Sequence, residues 1–180
     1  MDAPVTADRY PSDLRWKLRE ITDKERDLPD AQKIYMGAIM VSEAFRDVAV
    51  QFDLGESQFI EAPLYEAKLM TRMGEVEIDP DRRDPRRWFL FHILPRKSAL
   101  LPEQSSGVSS SKWPDRSIRW SVNVPGAPDI VLDPAAAKGP DVWHDPDLSR
   151  VIFFSDRLKH AIKAAKLRTP AFAFKPCRLA

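Results

Sequence analysis

The sequence has little cysteine, little glycine, almost no net charge and no long apolar run. A single cysteine, Cys177, in 180 residues excludes a disulfide framework and a cysteine-ligated zinc site, and it suits a reducing compartment. The six glycines (37, 55, 74, 107, 126 and 139) are isolated, so neither G-x-G-x-x-G nor G-x-x-x-x-G-K-S/T is present to cradle a phosphate. With 28 Lys+Arg against 27 Asp+Glu, the chain lacks the basic surplus that coating nucleic acid or an anionic membrane requires. No apolar stretch reaches the roughly 18 residues of a membrane helix. The opening MDAPVTADRYPSDLRW contains no apolar h-region, so no secretory signal is read there and a cytoplasmic location is expected. An apolar content of 43% is enough to fill a core, and the length predicts one domain spanning residues 1–180.

Proline, by contrast, is plentiful. Ten of the 16 prolines lie between Pro80 and Pro146, whereas Asp30 to Ala62 and Asp147 to Thr169 have none. Because proline breaks helix interiors and central strands, regular structure should concentrate in those two runs, leaving short strands and loops over 80–146. The first run reads as strand, helix, strand. IYMGAIMV is followed by Ser42, then by Phe45, Val48, Ala49 and Phe52 at the spacing of an amphipathic helix, then by SQFIEAP. Ser42 stands where an N-cap belongs, Glu43 suits the positive end of the dipole, and Gly55 fits a left-handed stop.

The second run, SRVIFFSDRLKHAIKAAKLRTPAFAFKP, has the same grammar, with Ser155 as cap and Leu158, Ala161, Ile162 and Ala165 as the stripe. A constant offset of 113 pairs Ile39 with Ile152, Ser42 with Ser155, Leu54 with Leu167, Phe59 with Phe172 and Pro63 with Pro176. This predicts a duplicated strand-helix-strand unit, with copies at about 36–64 and 149–177. Between the copies, RRWFLFHIL reads as a strand buried on both faces, LPEQSSGVSSSKWP as a polar loop, SIRWSVNV as a half-buried strand, and DIVLD and VWH as short strands. A third helix is predicted at DLRWKLREI. The expected class is α+β, with a mixed or mainly antiparallel sheet and two or three helices.

Catalytic patterns are sparse. His92, His144 and His160 are too far apart in sequence for a zinc motif. His92 reads as a core histidine with a satisfied ring. His144 followed by Asp145 could form an oriented base for a small hydrolase or transferase, with His160 as a further candidate, although Asp-Pro dipeptides are mainly turn chemistry. Ser155 precedes a lysine at S-x-x-x-K rather than S-x-x-K, and capping accounts for it. Cys177, after a proline, has no feature that would lower its pKa. The predicted cofactor and metal sets are empty.

Two asymmetries remain. From Ser155 to Ala180 the formal charge is +6, leaving −5 for the rest of the chain. That end is either a face for anions or nucleic acid or an ordinary solvated helix face, and the lack of interleaved aromatics favours the latter. Of the five tryptophans, Trp88 and Trp143 lie in apolar runs and read as core. Trp113, beside the Ser-rich stretch and close to Arg116 and Trp120, is either a partner-binding anchor or a loop anchor folded onto the sheet.

The stretches VIFFSDRLKHAIKAAKLRTPAFAFKP, DIVLD…WHD…LSRV, MVSEAFRDVAVQF…FIEAP and WFLFHILPRKSALLPEQS resemble the immunity-protein-11 family of bacterial polymorphic toxin systems over about Met36 to Pro176. The resemblance implies an α+β protein with no catalysis of its own, encoded beside a toxin and neutralising it by direct binding. It supplies no inhibitory motif. Trp113, Arg116 and Trp120 are therefore chosen as partner-binding candidates from residue type and expected exposure.

Overall fold

The computed structural model describes residues 14–16, 28–33, 39–70, 76–113, 117–122 and 128–180. By backbone proximity the chain divides into two compact units. One takes residues 1–48, 58–92 and 166–173; the other takes 49–57, 93–165 and 174–180.

The first unit contains β1 (Leu14–Trp16), β2 (Ala31–Lys33), β3 (Ile39–Ser42), helix α1 (Glu43–Ala49), β4 (Gln58–Glu61), β5 (Leu64–Met70), β6 (Val76–Arg83) and β7 (Trp88–His92). An antiparallel sheet has the order β2-β3-β7-β4, and a second sheet the order β1-β5-β6, with β1 parallel to β5. The uninterrupted apolar run Trp88 to Phe91 makes β7 an interior strand buried on both faces, as expected. Alternation sends Trp88 and Leu90 into a cluster with Leu28, Met40, Ala62 and Leu64. Phe89 and Phe91 point the other way, where Phe59 stacks on Phe91 at 4.6 Å and Phe45 of α1 lies 6.0 Å from it.

The second unit contains β8 (Val108–Lys112), β9 (Ile118–Val122), β10 (Val131–Leu132), β11 (Val142–Trp143), β12 (Phe153–Phe154), helix α2 (Asp156–Ala164) and β13 (Arg178–Leu179). β8 pairs with β9 and β11 with β12, both antiparallel, whereas β10 and β13 are parallel. Ala99, Ile130, Leu132, Ala136, Trp143, Leu148 and Phe153 form the core, with Trp143 stacked on Phe153 at 4.2 Å. Lys97 pins the turn at 134–140. Its ammonium donates to the carbonyls of Ala136, Lys138 and Pro140 at 3.0, 2.7 and 3.0 Å. The fold is thus α+β, mainly antiparallel, with two helices among the described residues.

Four local expectations are corrected. Leu14–Trp16, inside the predicted helix DLRWKLREI, is a strand, because apolar-charged-apolar alternation serves a ladder as well as a helix; the rest of that segment, 13 and 17–21, lies outside the described residues. The polar loop before Trp113 contains strand β8, whose ladder is made by backbone groups and tolerates exposed serines. α1 stops at Ala49, so Gly55 ends no helix. Its φ of +56° serves a turn in which the Asp53 carboxylate accepts the Gly55 N–H at 2.9 Å. Finally, AFAF at 171–174 is not a strand. Its alternating aromatics go to different units, Phe172 against Phe45 at 5.8 Å and Phe174 against Phe154 at 5.3 Å, and the ladder forms instead at β13.

Two stretches of the described chain share an order of elements. Each copy starts at a Pro-Asp pair, Pro29-Asp30 or Pro140-Asp141, and runs through a strand, an antiparallel strand, a serine and a helix. Each unit also contains the segment following the other copy's helix, 166–173 in the first and 49–57 in the second.

Candidate functional site

The two predicted caps show how the helices are fixed. The Ser42 hydroxyl accepts the Phe45 N–H, and the Ser155 hydroxyl accepts the Leu158 N–H, each at 3.2 Å. Each hydroxyl also donates to an aspartate: Ser42 to Asp30 at 2.7 Å, and Ser155 to Asp141 at 2.5 Å. The same aspartates accept the serine N–H groups on their backbone carbonyls, at 2.8 and 2.7 Å. Their second carboxylate oxygens take a backbone N–H from the segment beyond the other copy's helix, Arg168 on Asp30 and Asp53 on Asp141, at 2.8 and 3.0 Å. Sequence reasoning missed both aspartates, although the repeated Pro-Asp dipeptide marks them. Their oxygens are occupied by structural donors, so both serines serve the fold.

The hydrolase constellation is not assembled. Asp145 is buried, and its carboxylate accepts the N–H groups of Ala99, Leu100 and Asp147 at 2.8 Å each. His144 instead places Nδ1 2.9 Å from the Val151 carbonyl, and burial holds its pKa below the ordinary histidine value. His160 is exposed on α2. No hydrogen bond joins these three residues, and no group of three or more His, Cys, Asp or Glu among the described residues could hold a metal ion.

Three of the seven cations at the basic end form internal ion pairs. Arg157 grips Asp141 with two nitrogens at 2.6 Å, Lys159 pairs with Asp156, and Arg178 holds Asp129 at 2.7 Å. Asp156 is already counted in the +6, so the pairs with Asp141 and Asp129 leave +4 at this end.

Among the described residues, the hairpin β8–β9 carries the most exposed aromatic side chain, Trp113. Facing pairs Val108–Val122, Ser110–Trp120 and Lys112–Ile118 occupy one face, and Ser109–Ser121 and Ser111–Arg119 the other. Trp120, Val108 and Val122 pack on the core, and the backbone of Trp120 is tied to Asp147 and Ser149 at 2.7 and 2.8 Å. Trp120 is therefore an anchor of the hairpin, half-buried against the core. Past the edge of the core, the same face leaves Ile118 58% exposed, and Trp113 is 44% exposed. The Arg119 guanidinium lies over the Trp113 ring at 4.4 Å, which presents aromatic surface and positive charge together. Arg116 lies outside the described residues. Arg119 was missed because Trp113 was assigned to a loop and Arg119 to a separate strand; hairpin register alone brings the two together.

Comparison with known protein families and with curated proteins returns no match to this chain. No described helix is long and apolar enough to cross a membrane.

Proposed function

We propose that this chain is a cytoplasmic immunity protein that neutralises a cognate bacterial toxin by direct binding and uses no cofactor, with the end of the β8–β9 hairpin as its contact surface. The observation that carries the reading is the exposed Trp113 ring with Arg119 over it. Trp and Arg dominate binding hot spots because both bring large contact area and directional polar groups at modest entropic cost. The hairpin is anchored at its base by Trp120, so its end meets a partner already ordered, which reduces the cost of association. The resemblance to immunity-protein-11 members supplies the class of partner. Inhibition then proceeds by occlusion, burying about 1,200–2,000 Å² in a stable complex.

The test is co-expression with the toxin domain encoded beside this chain. Rescue of growth together with co-purification of a stoichiometric complex supports the reading. Rescue without a complex contradicts the occlusion mechanism, and failure to rescue contradicts the function.

A further inference from the structure

The outer edge of β8 has backbone groups directed away from its partner strand. The Trp113 N–H donates to the Ser117 carbonyl at 2.9 Å, and the register continues inward through Ser111–Arg119 and Ser109–Ser121. Antiparallel alternation then turns the N–H and C=O groups of Val108, Ser110 and Lys112 outward. β9 follows the same rule. Its outward Trp120 N–H is taken by the Asp147 carbonyl and its Trp120 carbonyl by the Ser149 N–H. On the β8 side, Ser106 exchanges two hydrogen bonds with Asp129, at 2.9 and 3.1 Å, and the ladder ends there among the described residues. Edges of this kind are usually blunted by proline, a bulge or a charge. Val108 to Lys112 has no proline, its one charge is Lys112 at the end of the strand, and its pairing with β9 is regular.

We propose that this edge pairs with β8 of a second copy of the chain, antiparallel about a twofold axis at Ser110. Ser110 then faces its own symmetry mate, and Val108 faces Lys112 of the other copy. The register separates the two lysines. It also brings each Lys112 next along the edge to Asp129 of the other copy, since Asp129 occupies the place opposite Ser106 and Lys112 takes the place opposite Val108, about 7 Å further on. Asp129 is 45% exposed and has Arg178 as its partner, so an oxygen lone pair remains for a second cation. Symmetry makes this Lys-Asp contact twice. The facing serines are small and exposed, and they place no bulk between the strands. The area is that of a small interface, so the dimer forms reversibly.

Sedimentation equilibrium of the full chain over a concentration series is the test. The apparent mass is expected to rise from 20.6 kDa toward twice that value. Ser110→Pro removes one outward donor and no inward one, so it should abolish the rise while the circular dichroism spectrum stays that of the parent. Lys112→Asp should weaken association about tenfold, and adding Asp129→Lys should restore it. A chain that is monomeric throughout, or a dimer indifferent to Ser110→Pro, overturns the proposal, and a charge swap without recovery overturns the register.

Discussion

Asp141 shows what a single carboxylate does in this fold. Its side chain is 2% exposed, yet it meets the Ser155 hydroxyl, two Arg157 nitrogens and the Asp53 N–H. Burial raises its pKa, but these donors outweigh burial, and the folded carboxyl titrates below the ordinary aspartate value of 3.8. A group depressed on folding contributes stability that is complete above its unfolded pKa and is lost as pH falls through the folded one. Asp141→Ala should therefore cost roughly 2–4 kcal/mol at neutral pH, because buried donors lose their acceptor. The difference from the parent should shrink in acid; urea melts at about pH 7 and about pH 3 would measure both effects, and an equal cost at the two pH values would contradict them. Gly55 is a second sensitive position. With φ at +56°, a Cβ there would lie 2.8 Å from Pro95 Cγ and 3.0 Å from Pro140 Cγ. Gly55→Ala should cost about 1–3 kcal/mol in the same melts.

At the scale of elements, what was legible follows from range in sequence. Ser42 and Ser155 could be read because a cap reaches only three residues ahead. Trp88 to Phe91 could be read because a run buried on both faces is uninterrupted. Asp30 and Asp141 could not, because their serines lie twelve and fourteen residues away, and unequal spacing hides the match from a fixed offset. β8 escaped because a polar hairpin advertises no hydrophobic pattern. The Trp113–Arg119 pair escaped with it, being a product of register. The caps also differ in dependence. Asp141 keeps Arg157 when its serine is lost, whereas Asp30 keeps the Arg168 N–H and Ser42 is itself buried. Both Ser→Ala changes should cost about 1 kcal/mol or more, with Ser42→Ala the larger. Chemical denaturation of the two variants side by side would reverse that order if the aspartate partners were unimportant.

At the scale of the whole molecule, the chain exchanges segments between its two units, so a change near the C-terminal helix should be felt in the first unit. Phe172 follows α2 in sequence but packs on Phe45 of α1, in the unit that also contains β3. Phe172→Ala should increase amide hydrogen exchange in β3 and α1 while β11 and β12 stay protected. Exchange rising only near residue 172 would contradict this. Charge also acquires a different meaning at this scale. A balance of +1 conceals a basic end whose Arg157, Lys159 and Arg178 are matched by carboxylates of the same chain. The most direct measurement is calorimetric titration of the proposed cognate toxin domain into the parent chain and into the Trp113→Ala, Arg119→Ala double variant. The account predicts tight binding by the parent and at least about tenfold weaker binding by the variant with its fold unchanged, whereas no binding by the parent, or equal affinity for both, would contradict it.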